Sequence, residues 1–392
     1  MPYSIRAGVR IEENKNAANM GFEEIPEPSI AVFYVQNTAL KEGDTVKKWQ
    51  KIGENGDMPV YASLSGRVVR ISQGEVTVEN DFTSQCENVL PVQKLIKDLS
   101  GDEIREIIKN AAVYSYGKPA FKMIGSVKKV IINLLESEPY LCSMYRLTMD
   151  DINEIIGGAK IFMKACGVRR AVIAIESGKR DAMRVIRNKI GISKLFEIKV
   201  FKSKYPQDDP RQIIYAIDGV EIDTDKELAD EGYAVFDGFS CVDAYRALAQ
   251  GVPAVTRYIT VDGDCIANPK NLCVPVGTPI GHIAEYCGLS GDLYKLIEGG
   301  PMRGKTLYSL ENALSAGANG LIFMSHRFEK PRTTECINCG RCGKHCPMYL
   351  MPNLIVQNKA TGAQSCISCG VCSYVCPANI PLTQKISQIA EK

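Results

Sequence analysis

The chain has 392 residues, 45% hydrophobic and 23% charged, with a formal net charge of +2. That is long for a single core and fits two to four water-soluble domains. The charge balance asks for no nucleic acid and no acidic membrane surface, and no run approaches the ~20 apolar residues of a membrane helix. The start, Met1-Pro2-Tyr3-Ser4-Ile5-Arg6, lacks the apolar stretch of a secretory signal. A cytoplasmic protein without direct membrane insertion is expected; any place on a membrane complex would be held by a partner and not by lipid.

Residues 31–80 read as β structure. Ala31-Val32-Phe33-Tyr34-Val35 is strand-like, and Lys41 to Val46 brings a glycine turn followed by β-branched residues. Arg67 to Ile71 and Val76 to Val78 flank a Gln73-Gly74 turn. Short strands with frequent glycine turns predict a small sandwich or barrel within residues 1–95. Residues 96–245 change character. Asp102 to Ala112 carries Ile104, Ile107, Ile108 and Ala111 on one helical face, and Asp150 to Ala165 and Arg180 to Lys189 also read as helices. Val130 to Ile132, Arg170 to Ile175 and Phe196 to Phe201 read as strands between them. That alternation predicts an α/β domain with a largely parallel sheet. Residues 246–305 hold Gly251-Val252-Pro253, Val261-Asp262-Gly263 and Val276-Gly277-Thr278-Pro279 and read as a small mixed unit; residues 306–330 read as a linker to a cysteine-rich end, 331–392.

Fifteen cysteines are many for a reducing compartment, where clustered cysteines bind metal more often than they pair. Cys86, Cys142, Cys166, Cys241, Cys265, Cys273 and Cys287 are scattered, and most are expected to be buried as small apolar side chains. Cys241, in the strand-like Phe239-Ser240-Cys241-Val242, is a candidate redox thiol, with burial as its plainer reading. The other eight form an internal repeat. Cys336, Cys339, Cys342 and Cys346-Pro347 recur thirty residues later as Cys366, Cys369, Cys372 and Cys376-Pro377. Each run has the Cys-x2-Cys-x2-Cys-x3-Cys-Pro spacing of two-cluster ferredoxins, in which the fourth cysteine reaches the other cluster. Crossed ligation therefore assigns Cys336, Cys339, Cys342 and Cys376 to one [4Fe–4S] cluster, and Cys366, Cys369, Cys372 and Cys346 to a second. Zinc sites are the rival; they commonly use two separated Cys-x2-Cys pairs and leave three successive cysteines plus Cys-Pro unexplained. Haem attachment is excluded, because no Cys-x-x-Cys-His occurs. Gly340 and Gly370 suit the tight loop, and His345 is expected as a neighbour of the cluster.

The order of motifs resembles the RnfC family, including its soluble relatives in cobalamin reduction and proline reductase electron supply. Gly43-Asp44-x-Val46-x-x-Trp49-Gln50-x-Ile52 and Ala62-Ser63-x-Ser65-Gly66-x-Val68 look like its N-terminal barrel-sandwich domain. Asn133-x-x-Glu136-x-Glu138-Pro139-Tyr140 resembles its flavin-proximal segment. Tyr205-Pro206-Gln207, Arg257-x-x-Thr260-Val261-x-Gly263, Gly277-Thr278-Pro279 and Gly299-Gly300-Pro301-Met302-x-Gly304 also match. The implied fold is multidomain α/β and α+β. It has a β barrel-sandwich, a central α/β domain similar to the flavin/NADH subunit of respiratory complex I, a ubiquitin-like ligand-binding unit, and a ferredoxin-like helical end with two clusters.

The resemblance also implies FMN, with Gly117, Lys118, Pro119, Lys122, Asn133, Glu136, Glu138 and Tyr140 as its candidate site. Lys118 or Lys122 would meet the phosphate; both are otherwise surface lysines. Glu136 and Glu138 are equally candidates for carboxylates at a helix start. The family's glycine-rich loop, Gly-Gly-Ala-Gly-Phe-Pro-Thr, is replaced by Tyr114-Ser115-Tyr116-Gly117-Lys118-Pro119-Ala120. Small residues there let backbone amides approach a phosphate and a flat ring, and tyrosines would fill that space. Asp208-Asp209-Pro210 likewise stands where the family has Gly-Gly-Glu. The Ser65-Gly66 hairpin resembles a lipoyl carrier but has no lysine at its tip. The leading expectation is an electron carrier without its own NADH site, serving a flavoprotein, a ferredoxin or a reductase complex. The alternative is an FMN-containing NADH-dependent oxidoreductase, and the third class is a binding module with structural clusters.

Overall fold

The structure, a computed structural model, describes residues 2–5, 7–72, 74–87, 95–328 and 332–391. Gln73 of the expected turn and the expected boundary at 330/331 lie outside the described residues.

Near the N-terminus, Thr45–Val46, Gly66–Ser72, Glu75–Asn80 and Ile30–Tyr34 form a four-stranded antiparallel sheet, accompanied by a hairpin of Lys51–Asn55 and Met58–Tyr61. Alternate side chains point inward, and Ala31, Phe33, Val46, Ile52, Val68, Val76 and Val78 make the core.

The central body is a four-stranded parallel sheet in the order Phe196–Phe201, Ala171–Glu176, Lys129–Asn133, Tyr233–Asp237. Its inner strands are apolar on both faces because helices cover both, as parallel sheets require. Local signals set the helix starts. Ser100 and Glu103 close a capping box on Gly101–Asn110, Asp209 caps Pro210–Asp218, and Asp237 caps Gly238–Gln250. Helices Ile152–Ala165 and Gly238–Gln250 touch backbone to backbone at Gly158, where a Cβ would come within 1.9 Å of the Cys241 carbonyl oxygen. The expected strand around Cys241 is therefore corrected to a helix. The strand ends at Asp237, whose carboxylate accepts from the Ser240 N–H (2.7 Å) and turns the chain into the helix.

A six-stranded mixed sheet follows, in the order Phe22–Glu24, Lys270–Pro275, Thr256–Asp262, Gly320–Ser325, Leu293–Glu298, Lys305–Leu307. Its interior strand Gly320–Ser325 falls within the stretch 306–330 that was expected to be a linker. The run Gly320-Leu321-Ile322-Phe323-Met324 is too apolar for an exposed connection, and it pairs parallel with Thr256–Asp262 and antiparallel with Leu293–Glu298.

The cysteine-rich end is built from short helices, Arg341–His345, Pro352–Ile355, Val371–Tyr374 and Leu382–Ala390, around Ile355, Ile380, Leu382 and Ile386. It is anchored to the central body by an N-terminal strap. Gly8 N–H donates to the His345 carbonyl (2.9 Å), and Val9 exchanges backbone bonds with Tyr205 (2.8 and 2.9 Å).

Candidate functional site

The two cysteine loops repeat in backbone shape as well as in spacing. Asn338 and Ser368 take φ of 52° and 51°, and Gly340 and Gly370 take 70° and 80°. These left-handed positions wind each loop tightly before its short helix. Cys336, Cys339, Cys342 and Cys376 line one small cavity, and Cys346, Cys366, Cys369 and Cys372 line another. Each quartet thus takes its fourth cysteine from the other loop. Among the described residues no three His, Cys, Asp or Glu side chains converge as a single ion requires. Thiols spread around a cavity suit a multi-iron cluster, whose ligands surround a body several atoms wide, better than mononuclear zinc. The surroundings differ: Cys369 and Cys372 are buried, whereas Cys339 is exposed. His345 is not aimed at a cavity; its Nδ1 hydrogen-bonds the Arg341 carbonyl one turn back (2.9 Å).

A larger cleft of about 640 Å³ opens beside the central sheet. It is lined by Gly117, Lys118, Lys122, Asn133, Glu136 and Glu138 among the sequence-predicted residues; Pro119 and Tyr140 are not in the lining. Tyr140 is buried instead among Leu141, Ile297, Ile322 and Met324. The degenerate loop folds into a tight hairpin in which Tyr114-Ser115 pairs with Lys118-Pro119. Tyr116 (φ 51°) and Gly117 (φ 70°) form its two-residue turn, the geometry that type I′ hairpins need. The turn is tied down by Tyr116 N–H donating to Asp237 (3.0 Å).

The polar groups of the cleft are largely used by the protein itself. Asn133 Nδ2 donates to the Tyr116 hydroxyl (2.6 Å) and the Asp208 carbonyl (2.9 Å), and its Oδ1 accepts from Leu135 N–H (2.9 Å). Glu136 accepts from Met144 N–H (2.9 Å) and Tyr145 N–H (3.3 Å), which makes it a helix-start carboxylate. Glu138 accepts from the Met302 and Arg303 backbone N–H groups, both at 3.0 Å. Arg303 bridges Glu138 (3.4 Å) and Asp208 (2.7 Å), and its guanidinium lies over the Tyr205 ring at 5.5 Å. Burial pushes the Glu138 carboxyl above its ordinary range, and the Arg303 charge opposes that shift. Gly300 permits the arrangement, since a Cβ there would meet Glu138 Oε2 at 2.3 Å. Asp208 also accepts from the Ser137 hydroxyl (2.5 Å). Lys118 and Lys122 stand exposed on the rim opposite Glu227 and Asp57, both at 3.8 Å.

Cleft and cysteine end share a wall. Ile367 lines both the cleft and the cavity of the Cys346 quartet. Tyr205 is 1% exposed, and its hydroxyl donates to the Cys369 carbonyl (2.6 Å) and approaches Glu138 at 3.4 Å. Gly370 packs on the same wall, where a Cβ would lie 2.6 Å from the Met302 carbonyl oxygen.

Residues 3–89 match the model of the RnfC barrel sandwich hybrid domain, 93–246 that of the Nuo51 FMN-binding domain, and 330–377 that of the 4Fe-4S dicluster domain. Over 368 residues the chain is 30% identical to the RnfC-type component of the Na(+)-translocating ferredoxin:NAD(+) oxidoreductase complex of Acetobacterium woodii, covering 87% of this chain and 83% of that one. The chain belongs to the RnfC family. Iron–sulfur electron transfer is its role. A second RnfC-family relative, the equivalent component of the proton-translocating ferredoxin:NAD(+) oxidoreductase complex of Clostridium ljungdahlii, is 29% identical over 382 residues, 90% of this chain and 83% of that one. Among solved structures, an NAD+-reducing [NiFe]-hydrogenase aligns with a TM-score of 0.53 over 68% of this chain and 56% of that one. At 13% identity this is a likeness of fold.

Within this RnfC-family chain, Arg303 is the important cleft residue that sequence reading missed; it is the unspecified position in Gly299-Gly300-Pro301-Met302-x-Gly304. Its charge beside two glycines was the available signal. The scattered cysteines are mostly buried, with Cys86 exposed and Cys273 half-buried. Ser65, at the carrier-like tip, is 1% exposed and donates to Asp81 (2.7 Å), which is a structural role. No described helix is long and apolar enough to cross a membrane.

Proposed function

We propose that this chain passes electrons through two [4Fe–4S] clusters between redox partners and has no NADH site of its own. Cys336, Cys339, Cys342 and Cys376 would hold one cluster; Cys366, Cys369, Cys372 and Cys346 would hold the other. When bound, the clusters supply one-electron storage. The observation that carries the reading is the crossed pair of cysteine quartets, each lining its own cavity. Ile367 screens the Cys346 quartet from the cleft, Tyr205 holds that loop by the Cys369 carbonyl, and the exposed Cys339 marks the side open to a partner. The partner is a flavoprotein, a ferredoxin or a reductase complex. The names of the relatives favour the other components of a ferredoxin:NAD(+) oxidoreductase complex, with the chain on the cytoplasmic side. The absence of an NADH site rests on Asn133, Glu136 and Glu138, whose hydrogen-bonding groups are engaged by the protein, and on the Tyr116 hydroxyl standing on Asn133.

A second reading, an FMN-containing NADH oxidoreductase, draws on the match to the FMN-binding domain and on the cleft of about 640 Å³, a size that suits a cofactor. One experiment separates them. Anaerobically purified protein is assayed for iron, sulfide and extractable flavin, then mixed with NADH in a stopped-flow instrument with and without added FMN. Iron near eight per chain, no flavin and no rapid reduction is the expected result. Reduction at tens per second by NADH alone, with flavin recovered, would overturn the carrier reading.

A further inference from the structure

Each cysteine quartet has a polar side chain against one of its sulfurs, and the two occur at the same place in the repeat. Asn353 lies eleven residues after Cys342, and its amide is 3.6 Å from Cys342 Sγ. Thr383 lies eleven residues after Cys372, and its hydroxyl is 3.3 Å from Cys372 Sγ. Asn353 lines the cavity of the first quartet and Thr383 that of the second. The second lining is otherwise apolar beside its cysteines, with Pro347, Met348, Leu350, Ile367, Val371 and Ile386, so Thr383 is its polar exception among the described residues. An apolar residue would fill the same space, and a hydroxyl or amide turned to a sulfur does something packing does not require.

We propose that Asn353 and Thr383 are a matched pair of potential-setting residues, each donating a hydrogen bond to the third cysteine sulfur of its own loop. The inference rests on the two-cluster reading above. One-electron reduction adds a negative charge that spreads onto the thiolate ligands, so a donor on a ligand sulfur favours the reduced form and raises the potential. An iron-bound sulfur carries no proton, so the side chain must donate. Thr383 is prepared for this. Ser373 Oγ accepts from Thr383 N–H (2.9 Å) and stands 2.9 Å from Thr383 Oγ1. With the Ser373 hydroxyl proton directed to Thr383 Oγ1, the Thr383 proton is left for Cys372 Sγ. Asn353 meets the same need by a half-turn of its amide, which brings N–H in place of C=O to Cys342 Sγ. Gly343 occupies the place of Ser373 in the first loop, so the relay is confined to the second. Both residues act on their own cluster by position and touch no substrate.

The test is redox potentiometry of the anaerobically purified full chain, followed by electron paramagnetic resonance, with iron and sulfide measured on every sample. Thr383→Val keeps the shape and removes the hydroxyl. It is expected to make one cluster about tenfold harder to reduce, about 59 mV for one electron, while the other stays put. Asn353→Leu is expected to move the other signal, and Thr383→Ser to behave as the unmutated protein. If Thr383→Val loses iron, Ser373→Ala is read instead and is expected to lower the same potential by a smaller factor. Iron near eight with unmoved potentials in Thr383→Val and Asn353→Leu would overturn the proposal and leave the two-cluster reading intact, as would an unmoved potential in Ser373→Ala. Both variants shifting both signals equally would also overturn it. Unmutated protein with far less than eight iron would sink the two-cluster reading, and this inference with it.

Discussion

In the cleft, Asn133 commits both ends of its amide to Tyr116, Asp208 and Leu135, while Glu138 accepts from Met302 and Arg303. On the far side of Ile367, four thiols line a cavity, backed mainly by apolar side chains. The two regions descend from equally specific motifs, yet one has turned its polar groups on itself and the other leaves its ligands facing a space. A motif residue can serve a ligand only if the fold has not already used its donors and acceptors. Hydrogen-bonding capacity, not residue identity, separates the cysteine end from the cleft.

The comparison can be broken most severely at Cys346. Cys346→Ser is expected to lose the cluster led by Cys366, dropping iron from about eight to about four per chain, because that cysteine crosses between loops. Spectra in which the Cys366 cluster survives and the Cys336 cluster is lost would reverse the ligand assignment.

The self-satisfaction of the cleft is tested at Arg303. Arg303→Met leaves Glu138 and Asp208 facing each other without their cation, and a loss of about 3 kcal/mol in thermal or denaturant unfolding is expected. Adding Glu138→Gln should recover part of that loss, because one of the two buried charges is then gone; a strictly additive double variant would mean the network does not act as a unit.

The same cleft can be opened. Tyr116→Gly keeps a residue that accepts the positive φ of the turn and frees Asn133 Nδ2. Added FMN should bind about tenfold more tightly than to the unmutated chain, equivalent to about 1.4 kcal/mol, read by quenching of flavin fluorescence. Equal affinity in both proteins would show that Tyr116 does not guard the cleft.

The mildest contrast lies between the two loop glycines. At Gly340 a Cβ meets nothing within 4 Å, so Gly340→Ala should cost only the backbone term, about 1 kcal/mol. At Gly370 the Cβ would press on the Met302 carbonyl oxygen at 2.6 Å, so Gly370→Ala should cost about 1–3 kcal/mol more and speed hydrogen exchange in the Cys366 loop. Indistinguishable variants would mean that the second loop is not held on the cleft wall.

The cysteine spacing was legible in the sequence because it is a local property. Two residues between thiols, a left-handed glycine and a closing proline dictate a winding loop wherever the chain goes, and the thirty-residue repeat brings two such loops together. The parallel sheet was legible for a similar reason, through apolar strands alternating with capped helices. Other features needed the tertiary structure, because they are made by residues far apart in the chain. Gly320–Ser325 is an interior strand only because Thr256–Asp262 and Leu293–Glu298 flank it. Cys241 sits on a helix because Asp237 caps it and Gly158 packs against it. The state of the cleft depends on Tyr116 meeting Asn133, 17 residues on, and on Arg303 reaching Asp208, 95 residues back. Polar groups find their partners in space, and where those partners are other protein groups the motif alone cannot tell a binding site from a closed network.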